Sequence, residues 1–204
     1  MRMDAPLRRW IKNLVERLKA LRDLDNGCPW ALAGAVGERA AGNGAAMRIA
    51  PLAFTSADRQ LIRDVARITH HHEEAYVGAL AVVLAIRQEE IAPNLPDSVV
   101  RDRLQTPGTS GYVADSVPAA LWHSQQILRN GFHETLQNII QNGGDTDTIA
   151  SIAGQIAGAH LGYRRLPQDL LARLPERELI LGISTRFASR WASPPRKKCP
   201  DGPL

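Results

Sequence analysis

Gly143-Gly144-Asp145-Thr146-Asp147-Thr148-Ile149-Ala150 places two carboxylates and two hydroxyls in four residues, behind a Gly-Gly breaker and ahead of an apolar run. The residues that follow, Ile149, Ile152, Ala153, Ile156, Ala157 and His160, recur at spacings of three and four. That period predicts a helix with one buried face. Asp145 or Thr146 is expected to cap it, with Asp147 and Thr148 in its first turn. Asp and Thr are favoured at caps and first turns, so one reading is a well-capped helix. The other is a ligand set for a hard cation, which takes several oxygen donors, carboxylates foremost. A cap needs one Asp or Thr rather than an alternating set, and that tilts the reading toward a metal.

The same period recurs along the chain. Leu7, Trp10, Ile11, Leu14, Leu18 and Leu21 trace a first helix, closed by the turn residues Asp25-Asn26-Gly27. Residues 29–46 are rich in Ala and Gly. Thr55-Ser56-Ala57-Asp58 reads as a capping box opening a helix through Leu61, Ile62, Val65 and Ile68. Residues 75–86 are apolar nearly all round and are expected at the centre of the core. Residues 93–111 read as a loop holding a short helix around 99–104. Asp115 or Ser116 is expected to cap a helix running to Asn130-Gly131, with a short helix over 132–140 behind it. Residues 167–174 and 175–191 supply two last helices, each with Pro near its start. No repeat and no strand alternation is visible. The expectation is an all-α orthogonal multi-helix bundle, one domain over 1–192, with a disordered Pro- and Lys-rich tail over 193–204.

Composition agrees. The 204 residues are 44% hydrophobic but only 5% aromatic, with Ala, Leu and Ile carrying the apolar load. That favours helices over a sandwich or barrel. The formal charge is +4, and its excess sits in Arg8-Arg9 and Arg196-Lys197-Lys198 rather than in a stripe on the body. Nucleic acid is therefore not the expected partner; a small anionic ligand or solvated tails explain the balance. Cys28 and Cys199 match no metal motif and read as free thiols of a reducing compartment. The longest apolar run, 75–86, falls short of the ~20 residues a membrane span needs. With no secretory leader at Met1-Arg2-Met3-Asp4, the expected location is the cytoplasm.

Three further stretches carry chemistry. Gly42-Asn43-Gly44-Ala45-Ala46-Met47-Arg48 sets small residues before a helix start, where backbone N–H groups can meet a phosphate or sugar, or simply make a turn. His70-His71-His72 cannot share one helix face, so a three-histidine zinc site is not expected. Gly111-Tyr112-Val113-Ala114-Asp115-Ser116 puts an aromatic on a loop before a helix, as a stacking platform or a loop anchor.

Taken in order, GNGAAMRIAP at 42–51, Thr69-His70, GYVADS at 111–116 and GGDTDTIASIAGQIAGA at 143–159 resemble the ADP-ribosylglycohydrolase family, which includes the dinitrogenase-reductase-activating glycohydrolases. The resemblance covers about residues 30 to 165 and implies an all-α fold with a binuclear magnesium or manganese centre. It implies hydrolysis of the N- or O-glycosidic bond between ADP-ribose and an acceptor such as arginine or serine. Residue by residue, it makes Asp145, Asp147 and Thr148 metal ligands and puts Asn43, Gly44 and Met47 in the ADP-ribose loop. It brings His70 and Tyr112 beside the ligand. Arg48 belongs to the motif without a role. Members of the family open with a Gly-Asp helix bearing an acidic residue and then a Thr-Asp-Asp-Thr metal motif. These 204 residues hold neither, and Arg22-Asp23-Leu24-Asp25 lacks the Thr and the Asp pair. The expectation is thus an N-terminally truncated member with half the metal ligands, which binds ADP-ribose or an ADP-ribosylated protein but turns over slowly. The alternative is a non-catalytic ADP-ribose-binding module or inactive fragment. Helices missing from the bundle would leave apolar surface exposed.

Overall fold

A helix with no polar face must be packed on every side, and Glu73–Arg87 is: Ala75 through Leu84 and Ile86 are all buried. It forms the axis of the computed structural model, which describes residues 20–37, 40–91 and 109–191. In chain order the described elements are β1 (Ala35–Val36), α1 (Gly44–Arg48), α2 (Arg59–Arg67), β2 (His70–His71), α3 (Glu73–Arg87), α4 (Val113–Asn130), α5 (Phe132–Asn142), α6 (Thr146–Leu161), α7 (Gln168–Ala172) and α8 (Arg177–Trp191). Residues 20–25 are also helical, and 3-10 turns lie at Ala50–Phe54 and Tyr163–Arg165. The fold is all-α, as expected. The first helical stripe up to Leu18, the loop over 92–108 and the tail over 193–204 lie outside the described residues. Among the described residues, no helix is long and apolar enough to cross a membrane.

α3 packs against α1, α2, α4 and α6, and α4 lies along α6. The core is aliphatic: Ile49, Ile62, Leu80, Ile127, Ile139, Ile149, Ile152 and Ile156 are its largest fully buried side chains. Gly78 lets α3 and α4 touch, since a Cβ there would lie 2.2 Å from Val113 Cγ2. Arg87, at the last turn of α3, ties the preceding turn to the core. Its Nε donates to Ala53 O at 3.2 Å, and Nη2 spreads over the carbonyls of Leu52, Thr55 and Ala57 at 3.2, 3.0 and 2.9 Å. α8 has no buried residue, and Leu179, Ile180, Ile183 and Trp191 stand exposed on it.

Two helix starts differ from the sequence reading. α2 opens at Arg59, with Asp58 accepting the Leu61 N–H at 2.8 Å. Thr55 does not box this helix: its hydroxyl donates to Leu52 O and accepts the Ala57 N–H, closing the 3-10 turn. α4 opens at Val113, ahead of Asp115 and Ser116, because both side chains are engaged elsewhere: Ser110 donates to Asp115, and Ser116 donates to Tyr112 O. β1 and β2 pair in parallel, with Ala35 opposite His70 and Val36 opposite His71. Two-residue strands are too short to show alternation. They also take His70 and His71 off any helix, leaving His72 as the N-cap of α3.

Candidate functional site

Asn43, His72, Tyr112 and Asp145 each stand at a helix N-terminus, of α1, α3, α4 and α6. Only His72 caps its own helix, its Nδ1 accepting the Glu74 N–H at 3.1 Å. The other three side chains make no capping bond. Asn43 is 4% exposed, and its Nδ2 donates to Asp145 Oδ2 at 2.6 Å and Ser116 Oγ at 3.1 Å. The Asp145 carboxylate therefore faces α1 and α4 rather than its own first turn. The cap reading of this Asp fails on that bond, although Asp145 occupies the N-cap position.

Backbone contacts lock the three loops together. Asn43 N–H reaches Gly111 O at 3.3 Å, Val113 N–H reaches Ala41 O at 3.0 Å, and Gly42 bridges Tyr112 antiparallel. On the other side Asp145 N–H donates to Thr109 O at 2.6 Å. Glycine makes the approach possible. Gly144 has φ +81°, and a Cβ on it would sit 2.0 Å from Thr109 O. A Cβ on Gly42 would lie 3.1 Å from His70 Nε2, and one on Gly111 would lie 3.4 Å from Asp145 Oδ2. His70 thus lies against the Asn43 loop, with its Nδ1 2.7 Å from Thr69 Oγ1 and its backbone held by β1.

α1 docks on α6 through Met47. Its carbonyl accepts Gln155 Nε2 at 3.0 Å, and its Sδ accepts the buried Thr148 hydroxyl at 3.6 Å. Gly44 is buried at the start of α1. Arg48 pins the end of α2 to the loop of the motif. Its Nη1 donates to Gly44 O at 2.7 Å, and its Nη2 to Val65 O and Ala66 O at 3.1 and 3.2 Å. Tyr112 hydroxyl donates to Glu74.

Asn43, Gly44, Met47, His70, Tyr112, Asp145 and Thr148 are therefore joined in one network of contacts. Asp147 is exposed in the first turn of α6 and shares no direct bond with them among the described residues. The sequence reading gives no site role to Glu74 or Gln155, and it has Ser116 only as a helix cap and as the end of the Gly111–Ser116 stretch. Gln155 is readable afterwards, since it lies seven residues beyond Thr148 on one helix face. Glu74 and Ser116 make their site bonds across 38 and 73 residues, and no local pattern shows such bonds.

The donor chemistry at the start of α6 suits a hard cation, because Asp145, Asp147 and Thr148 offer only oxygen. Asp145 is also turned away from capping. Among the described residues, however, no three His, Cys, Asp or Glu side chains cluster closely enough to hold a metal. Two carboxylates and a hydroxyl are part of the oxygen shell that such an ion takes.

The family model described as ADP-ribosylglycohydrolase matches residues 3–94 and 88–196. This chain belongs to the ADP-ribosylglycohydrolase family. It is 33% identical over 87 residues to the ADP-ribosylarginine hydrolase Tri1 of Serratia proteamaculans, covering 43% of this chain and 22% of that protein. It is 30% identical over 168 residues to the ADP-ribosyl-[dinitrogen reductase] glycohydrolase of Rhodospirillum rubrum, covering 72% and 56%. Among solved structures, an ADP-ribosylglycohydrolase-related protein complex superposes with a TM-score of 0.69 at 26% identity, covering 89% of this chain and 70% of that one. The chain spans about half the length of the Rhodospirillum relative, and less of the Serratia one.

Proposed function

We propose that this chain binds ADP-ribose at the junction of these helix N-termini and, in the cytoplasm, hydrolyses its glycosidic bond to a modified protein acceptor. One observation carries the reading: Asn43, Tyr112 and Asp145 meet at three helix starts without capping them. No side chain caps the start of α6, and Asp145 is turned toward Asn43 instead. The Gly42-Asn43-Gly44 loop ahead of α1 has the small residues that let backbone approach a diphosphate. Asn43, Gly44 and Met47 would form the loop against the nucleotide diphosphate, with His70 and Tyr112 flanking the ribose. Asp145, Asp147 and Thr148 would hold a magnesium or manganese ion, which when bound orders ribose hydroxyls and a water. The Asn43 amide, anchored by Ser116, sets the direction of the Asp145 carboxylate.

The alternative reading is a non-catalytic ADP-ribose-binding module. Titration of free ADP-ribose, run beside a release assay on ADP-ribosyl-arginine and ADP-ribosyl-serine with excess manganese, separates the two. We expect binding, with turnover well below that of a relative with the Thr-Asp-Asp-Thr motif. Binding with zero release would leave a recognition module. No binding at all would overturn both readings.

Asp147→Ala tests the metal alone. It is expected to abolish binding of magnesium or manganese in calorimetry. A first-turn Asp contributes only about 0.3–1 kcal/mol to a helix, so the melting temperature should barely move. Equal metal binding by both proteins would reduce Asp147 to a helix-start residue.

A further inference from the structure

We infer that Glu74 is a positioning residue for ADP-ribose recognition, acting by holding the ring of Tyr112. The inference rests on the proposed ligand site. The backbone of Tyr112 is fixed several times over. Gly42 bridges it, Ser110 Oγ accepts its N–H at 3.1 Å, and Ser116 Oγ donates to its carbonyl at 3.1 Å. None of these bonds sets the direction of the ring. The phenol hydroxyl does so by donating to Glu74 Oε2. A carboxylate acceptor makes that bond charge-assisted and directional.

Glu74 is well placed to act as an anchor. It lies in the first turn of α3, where the positive end of the helix favours a carboxylate. His72 Nδ1 holds its N–H, and the next residues, Ala75 and Tyr76, are buried in the core. Its neighbour Glu73 points away and pairs with Arg63 at 2.7 Å. The two adjacent acids thus act in different directions, one facing solvent and one facing the loop of the candidate site. The ring also packs against the core, and the bond to Glu74 fixes where its hydroxyl end points.

Four variants test this by ADP-ribose titration of the 204-residue chain: Glu74→Ala, Glu74→Gln, Tyr112→Phe and the Glu74→Ala/Tyr112→Phe pair. Glu74→Ala should weaken binding about tenfold, the size of one lost charge-assisted bond. Gln keeps an acceptor oxygen at the same reach, so Glu74→Gln should bind nearly as wild type. Tyr112→Phe should match Glu74→Ala, and the pair should be no worse than either single change. Glu74→Ala binding as tightly as wild type, in a chain that does bind ADP-ribose, would overturn the inference and leave the site reading standing. Additive losses in the pair would also overturn it, since Glu74 would then act through something other than Tyr112. Failure of the wild type to bind would overturn the site reading and the inference with it.

Discussion

Gly144→Ala is expected to lower stability by about 3 kcal/mol and to abolish ADP-ribose binding. Two effects add. At φ +81° an L side chain costs about 1–2 kcal/mol by itself. The larger effect is the collision, because the new Cβ would sit 2.0 Å from a backbone oxygen, that of Thr109. A side chain could rotate away, but this carbonyl accepts the Asp145 N–H and cannot retreat without breaking that bond. Either loop must move, and both loops carry the candidate site. Asp145 would leave Asn43, and Gly111 would leave its place beside Asp145. Urea unfolding measures the stability, and ADP-ribose titration at a temperature where the variant is folded measures the site. Wild-type values in both would mean that the 109–111 and 143–145 loops do not approach as described.

Arg87→Met should also cost about 3 kcal/mol, through loss of charge-assisted bonds to four carbonyls. The methionine keeps the aliphatic stem but offers no donor. The carbonyls of Leu52, Ala53, Thr55 and Ala57 then lose their shared partner, and the 50–57 turn loses its hold on the end of α3. For a chain of this size the melting temperature should fall by roughly 6–12 °C. ADP-ribose affinity of the folded variant should be unchanged, because Arg87 sits at the opposite end of α3 from Glu74. That contrast with Gly144→Ala separates a residue that supports the fold from one that shapes the site.

The sequence made some of this legible and concealed the rest, for physical reasons. α6 and α3 could be read because burial on one face, or on all faces, leaves a run of apolar residues at fixed spacing. The starts of α2 and α4 were misplaced because Thr55, Asp115 and Ser116 are cap residues by type and loop fasteners by use. Only the surrounding chain decides between those roles. The β1–β2 pair is too short to carry a pattern, although it is what sets His70 against Gly42. At the site, the residue types and their motifs were visible, but the bonds between them were not. Asn43 holds Asp145 across 102 residues, and Tyr112 meets Glu74 across 38. Arg48 belonged to the motif, but its role lies in its guanidinium on the carbonyls of Gly44, Val65 and Ala66, two of them far along the chain.

An ADP-ribose site where the Asn43, Tyr112 and Asp145 helix starts come together has a direct consequence for binding. It is read by calorimetric titration of ADP-ribose into the 204-residue chain, with Asn43→Ala alongside. The wild type should show saturable one-to-one binding, lost in Asn43→Ala, which removes the amide that aims Asp145. Absence of binding by a folded wild type, or equal binding by Asn43→Ala, would contradict it.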